Sequence, residues 1–326
     1  MKNSRRALLA VGSVAALATA TWWWLRPPEP SPPPRIPEPP PKKKNPTDAV
    51  GRLRRVIEPL RAGGRTQVTY RDGSSEELES YRRWVAAELG RVTRGTQPKL
   101  PAPSGFRRLP LEDFGQVLAE KIEDRRGAGA LVLRAGPARP LLFEVPHSFF
   151  DEGTLDIGLS AFVSSGARAL LLNTVHRYGA SGAPPPVDAD GKKQDSPYDV
   201  AHAEASFFLS AHAACVDGLA GLEVVQLHGF ADAAVPSADL VLSAAGSRAD
   251  PVPPARALER ALGIRVAVYP TQIRMLGGTL NRQAHYSIAA GSPFLHAEMS
   301  RSLRDGLIAD PDRMLRFSEA LLGSGP

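Results

Sequence analysis

The segment Leu141-Leu-Phe-Glu-Val-Pro-His-Ser-Phe-Phe-Asp-Glu-Gly-Thr154 opens as a short apolar run and closes as a polar turn. An apolar run of this length reads as a buried strand, and Pro146 stops its ladder of hydrogen bonds, so His147 begins a loop. A second run, Leu222-Glu-Val-Val-Gln-Leu-His-Gly-Phe230, ends in the same way on His228-Gly229. Further apolar, β-rich runs lie at 131–133, 169–175, 240–242, 264–269 and 294–299, with helical patterns such as 200–214 and 254–262 between them. That alternation predicts an α/β domain whose mostly parallel or mixed sheet is covered on both faces. Ligands of open α/β sheets bind beyond the carboxyl ends of the strands, where residues remote in sequence converge. Two imidazoles and one carboxylate meeting there make the usual catalytic zinc shell, with one position left open. His147 and His228 are the candidate imidazoles, and Asp151 and Glu152 compete to supply the acid. A solvated loop, or the cap of a helix starting near Thr154, is the plainer account of those acids taken alone. Gly229 suits the close approach of a substrate or metal, because it carries no Cβ.

The 326 residues exceed the usual size of one domain, which suggests one sizeable core plus attachments. The formal net charge of +6 is unevenly spread. Residues 1–109 hold 21 Lys+Arg against 9 Asp+Glu, and residues 110–326 hold 19 against 25. The part carrying the candidate chemistry is therefore net acidic and repels phosphate, which argues against a nucleic-acid partner. Cys215 is the only cysteine, so no intrachain disulfide forms, and its apolar flanks mark it as a small buried hydrophobe. Gly277-Gly278 is followed by no lysine of a phosphate-binding loop.

Residues 1–26 read as a membrane signal-anchor. Lys2, Arg5 and Arg6 precede an uncharged stretch from Ala7 to Leu25, about 20 residues and long enough to span a bilayer. It closes on Trp22, Trp23 and Trp24, whose indoles favour the interface. A cleaved signal peptide is the alternative, given the small-x-small pattern of Ala18-Thr-Ala20. The favoured orientation puts the C-terminal bulk outside the cytoplasm, anchored in the cell envelope or secreted after cleavage, although Arg26, Lys42, Lys43 and Lys44 add positive charge on the other flank. Residues 27–47 form a Pro-rich linker, a semi-rigid polyproline II spacer on the order of 60 Å. Residues 48–104 read as a small basic helical region, with Val50, Leu53, Val56, Ile57 and Leu60 at helical spacing and then Leu78, Tyr81, Trp84, Val85 and Leu89. Residues 105–326 form the α/β domain.

Phe294-Leu-His-Ala-Glu-Met-Ser-Arg301 supplies a further element. On a strand His296 and Glu298 share one face, and Leu295 and Ala297 the other. A glutamate in so apolar a strand is costly to bury without a partner or a task. As a general base it would take a proton from water whose pKa a metal lowers; a salt bridge to Arg282, Arg301 or Arg304 is the bland alternative. Asn173-Thr-Val-His-Arg-Tyr178 ends another strand and would bring His176 and Arg177 to the same rim, with Arg177 suited to a carboxylate or a scissile carbonyl. Asp199-Val-Ala-His-Ala-Glu204 reads as a helix start, from which His202 would bind substrate or orient a ligand.

Taken together, VPHSFFDEGT, VVQLHGF and FLHAEMSRSLR resemble the zinc amidohydrolases around N-formylglutamate amidohydrolase and poly-γ-glutamate hydrolase, distant relatives of zinc carboxypeptidases. The resemblance covers roughly residues 130–305. It implies a three-layer phosphorylase/hydrolase-like α/β fold, a zinc ion held by His147, Glu152 and His228, Glu298 as the base, and Asn281-Arg282 as a carboxylate-holding pair. The carboxypeptidase pattern sets its glutamate three residues after the first histidine. Here the separation is five, nearer the poly-γ-glutamate hydrolase spacing, and Asp151 stays as the rival ligand. The expected activity is hydrolysis of an amide or peptide bond next to a carboxylate, on a peptide or glutamyl-type substrate. A membrane-tethered binding protein that keeps the fold without catalysis is the alternative. A serine hydrolase is disfavoured, since the chain has no Gly-x-Ser-x-Gly elbow.

Overall fold

Nine strands hydrogen-bond into one mixed sheet in the computed structural model, which describes residues 46–65, 67–95, 99–112, 114–183 and 195–322. The expected membrane segment at 1–26, and the linker at 27–47 except for its last two residues, lie outside the described residues. Among the described residues no helix is long and apolar enough to cross a membrane.

The chain runs α1 (Pro46–Arg61), α2 (Ser75–Arg94), β1 (Phe106–Leu111), β2 (Gly115–Glu120), β3 (Ala130–Arg134), β4 (Arg139–Val145), α3 (Thr154–Ser165), β5 (Ala167–Leu172), α4 (Phe207–Gly218), β6 (Glu223–Phe230), β7 (Leu240–Ser243), α5 (Val252–Leu262), β8 (Val266–Val268), α6 (Arg282–Ala290), β9 (Phe294–Ser300), α7 (Arg301–Ala309) and α8 (Pro311–Leu321). The sheet order is β1-β2-β3-β5-β4-β6-β9-β7-β8. Its centre, β5-β4-β6-β9, is parallel. On one side β1, β2, β3 and β5 pair antiparallel, and on the other β7 is antiparallel to β9.

Alternation along the central strands separates two cores. Phe143, Val225, Leu227, Ala297 and Met299 face α1, α3, α5, α7 and α8. Leu142, Val224 and Phe294 face α2, α4 and α6. The result is helix, sheet, helix in three layers. The two helices of the basic region thus sit on opposite faces, α1 through Leu53, Ile57 and Leu60 and α2 through Tyr81, Trp84, Val85 and Leu89. A capping box of Ser74 and Glu77 starts α2, and Gly95 in the left-handed conformation ends it.

Two expectations about elements change. The helix expected over 200–214 begins only at Phe207, because Ser206 caps it through the Leu209 N–H. Asp199 to Glu204 is therefore a turn, with Asp199 Oδ1 accepting from the Ala201 N–H at 3.3 Å. The run 169–175 is a strand only to Leu172, and the chain then leaves the sheet so that His176 and Arg177 lie in a loop.

Candidate metal centre

β4, β6 and β9 are adjacent and parallel, so their carboxyl ends share one edge. In register, His228 pairs with Glu298, Gln226 with His296, and Glu144 with Gln226. Residues paired across parallel strands point to the same face. On the face covered by α2, α4 and α6 the sheet therefore grades from an apolar row (Leu142, Val224, Phe294) through a buried polar row (Glu144, Gln226, His296) to His228 and Glu298 at the edge.

His147 follows β4 by two residues. The Phe150 and Asp151 N–H groups both donate to the His147 carbonyl, at 3.0 and 2.9 Å, so 147–151 is one helical turn. Asp151 thus falls on the same side of the turn as His147, four residues on. Glu152 is rotated about 100° further. That one-residue difference settles which acid turns inward. Asp151 Oδ2 stands 3.3 Å from His147 Nδ1 and 3.5 Å from His228 Nδ1, and the two Nδ1 atoms are 3.1 Å apart. All three residues are buried. Glu152, expected as the acid ligand, instead keeps its side chain 52% exposed and pairs with Arg301 at 2.7 Å and Arg65 at 3.5 Å. Its carbonyl is held by Arg304 Nε at 2.7 Å, which fixes the turn from below.

The outer nitrogens fix the ring tautomers. His147 Nε2 donates to Asp199 Oδ1 at 2.8 Å, and His228 Nε2 to Gln226 Oε1 at 2.6 Å. Nδ1 is thus the nitrogen of each ring left to bind a cation, and both aim at a carboxylate oxygen. With both Nδ1 atoms deprotonated, three acceptors would repel one another, and a cation relieves this. The spacing fits: donors about 2.0–2.1 Å from a tetrahedral ion stand roughly 3.3 Å apart, and the observed edges are 3.1, 3.3 and 3.5 Å. Two imidazoles and a carboxylate also match zinc in ligand type.

Without a cation the cluster takes up a proton in its place. Burial disfavours the His147 imidazolium, but the Asp199 charge and hydrogen bonds to Asp151 and Asp199 outweigh it and push the pKa up to about 9. Burial pushes His228 down to about 4, and the charge on His147 adds to that. Although buried, Asp151 is held well below the usual carboxylate range by His147 and His228, and Asp199 by His147, a hydrogen bond with His202, and Arg177. Glu298 differs. Burial first, then the Asp151 charge, raise it to about 8.

Glu298 lines the same cleft of about 160 Å³, together with Arg177, His202, Gly278, Asn281 and His296. His296 Nε2 is 3.9 Å from Glu298 Oε1, and the His296 ring lies on His228 with centroids 4.5 Å apart. Gly278, at φ +64°, lets its loop cover that ring, since a Cβ there would stand 2.7 Å from His296 Cδ2. Arg177 reaches the rim held by Asp199 and stands 3.4 Å from His147 Nδ1. His202 Nδ1 is 3.2 Å from Asp199 Oδ2.

Other expected site residues lie elsewhere or act differently. His176 packs against Phe150 and Tyr178, and its Nδ1 accepts from the Tyr178 N–H, which keeps it out of the cleft. Arg282 turns away to Glu204 at 2.6 Å. Asn281 borders the cleft, where its Oδ1 caps α6 and its Nδ2 donates to Gln226. Gly229 lines the cleft, and its missing side chain also accommodates a guanidinium, since a Cβ there would lie 2.0 Å from Arg304 Nη1. Sequence reasoning passed over Asp199, Gln226 and Glu144. The last two were visible as polar residues inside apolar runs.

No protein-family model and no curated protein sequence matches the chain. Solved structures that are similar include N-formylglutamate amidohydrolase from Ralstonia eutropha, at 17% identity over 60% of this chain and 96% of that one, with a TM-score of 0.39. The succinylglutamate desuccinylase from Chromobacterium violaceum is 12% identical over 73% of each chain, with a TM-score of 0.36. A metallo-carboxypeptidase from Burkholderia cenocepacia is 11% identical over 78% of this chain and 69% of that one, with a TM-score of 0.34. They include the type of protein that the three motifs resemble. The chemistry open to the site follows from its own side chains.

Proposed function

We propose that the protein is a zinc-dependent hydrolase of an amide or peptide bond next to a carboxylate, working in the cell envelope. One observation carries the catalytic part: three buried donor atoms, two imidazole nitrogens and one carboxylate oxygen, form a triangle with edges of 3.1–3.5 Å, and a further carboxylate, Glu298, lines the same cleft without being one of its corners. His147, Asp151 and His228 would hold the ion. When bound, zinc supplies Lewis acidity towards a carbonyl, acidifies water, and offsets the Asp151 charge that raises Glu298. Glu298 then takes the proton of the attacking water at a carboxylate oxygen and returns it to the departing amine. Asp199 holds the His147 ring and, through its second oxygen, Arg177. The guanidinium, directed into the cleft, is the group to receive a substrate carboxylate or the developing oxyanion. The envelope location rests on the anchor-like sequence at 1–26, and the preference for a peptide or glutamyl-type substrate on Arg177.

The test is hydrolysis of N-acyl-glutamate and glutamyl peptides by the purified chain, with and without chelator. Glu298→Gln is expected to lower kcat by roughly 10²–10⁴-fold while bound zinc stays stoichiometric. Full activity in that variant, or in chelator-stripped protein, refutes the mechanism.

A further inference from the structure

Glu144 and His212 are ionisable, completely buried and unused by the chemistry above. They form one line of hydrogen bonds beneath the site. His212 Nε2 is 3.2 Å from Ser287 Oγ, and His212 Nδ1 is 2.9 Å from Glu144 Oε1. Gln226 Nε2 donates to Glu144 Oε2 at 2.9 Å, and Gln226 Oε1 meets His228 Nε2 at 2.6 Å. Four buried side chains thus lead from α6 and α4 to one of the candidate ligands.

An amide is nearly symmetric in shape, so the orientation of Gln226 depends wholly on its neighbours. Two of them are pinned by backbone groups that cannot turn round. Asn281 Oδ1 accepts from the Ala284 N–H at 3.1 Å, which leaves Asn281 Nδ2 facing Gln226 Oε1 at 2.5 Å. Gln283 Nε2 donates to the Val200 carbonyl at 2.9 Å, which leaves Gln283 Oε1 3.4 Å from Gln226 Nε2. Both anchors give the same orientation, and Glu144 completes it by accepting from Gln226 Nε2. Gln226 therefore presents an acceptor to His228, whose ring proton must sit on Nε2. The line is shielded from bulk solvent, because Glu144, His212, Gln226, Gln283 and Ser287 are all fully buried.

We propose that Glu144, acting through Gln226, is a positioning residue that fixes the tautomer of His228 and so keeps its Nδ1 lone pair in the cleft. This role rests on the metal-centre reading only for its purpose, since the tautomer itself is measured without metal. It also accounts for a carboxylate in the middle of a central strand, where burial is costly unless the group has a task.

The experiment uses metal-stripped, full-length protein labelled with ¹⁵N-histidine. Long-range ¹H–¹⁵N correlation spectra, assigned with His228→Gln, report which nitrogen of His228 is protonated. In the native chain the proton is expected on Nε2 alone. Glu144→Gln removes the group that can only accept and is expected to give mixed tautomers, with zinc affinity, read by competition with a chromogenic chelator, lowered roughly 10–100-fold. Asn281→Asp has the same shape and still caps α6, but sets an acceptor against Gln226 Oε1. It is expected to act in the same direction, and it keeps the test open should Glu144→Gln fold poorly. Combining Glu144→Gln with Gln226→Glu returns a fixed acceptor to His228 and is expected to restore a single tautomer. A native His228 protonated on Nδ1, an unchanged tautomer in both single variants, or no restoration by the exchange overturns the proposal. Native protein that shows the expected tautomer yet binds no zinc refutes the metal centre and leaves the positioning role standing.

Discussion

Titrating zinc into metal-stripped Glu298→Gln protein at a series of pH values measures the proton that the cluster holds in place of an ion. The variant removes the other cleft group raised into this range, the carboxyl held at about 8. With His147 raised to about 9, its imidazole carries a proton at neutral pH, and that proton must leave before Nδ1 can bind a cation. At pH 7 the displacement spans about two pH units, which costs about 2.7 kcal/mol, or roughly 100-fold in apparent affinity. Affinity is therefore expected to rise about tenfold per pH unit from neutrality and to level off near the His147 pKa. Calorimetry in buffers of different ionisation enthalpy should show about one proton released per zinc at pH 7. A pH-independent affinity over that range, or no proton released, refutes the assignment of His147 as a protonated ligand.

Further outcomes follow from the same geometry. Asp151→Asn should abolish stoichiometric zinc, whereas Glu152→Gln, altered at an exposed ion pair, should leave zinc content unchanged; metal analysis of the two side by side reverses the ligand assignment if the losses are reversed. Asp199→Asn removes the charge behind His147, so zinc affinity measured above about pH 9, where no proton competes for Nδ1, should fall roughly 10–100-fold, and the His147 pKa should drop, as read by NMR titration of metal-stripped protein. An unshifted His147 would contradict the role given to Asp199. Arg177→Met should raise KM for carboxylate-bearing substrates more than for their amides, and an equal effect on both would remove Arg177 from substrate recognition.

Much of this site was legible because strands impose a two-residue period and parallel strands end together. His147, His228 and Glu298 could be placed at one edge from apolar run lengths alone, and the shared face of His296 and Glu298 follows from their spacing. Asp151 and Glu152 were not separable by sequence, since the choice depends on a helical turn closed at the His147 carbonyl. Asp199 was hidden by a segment read as the start of a helix that Ser206 delays. The β1-β2 pair escaped notice because it is an antiparallel edge whose first strand is mostly half-exposed and carries Arg107 and Arg108, with too little apolar patterning to stand out. Gly229 lines the cleft as a glycine at a strand end suggested, but nothing in the sequence signalled that a guanidinium from α7 also needs the space of its missing Cβ.

The most direct test of the central claim is the zinc content of the intact, folded chain beside His228→Ala, each reloaded with zinc and desalted. About one ion per native chain, and none held by the variant at equal helical content, is the expected result. A native protein that retains no zinc, or a variant that retains as much as the native chain, contradicts the convergence of His147, Asp151 and His228 on a single cation.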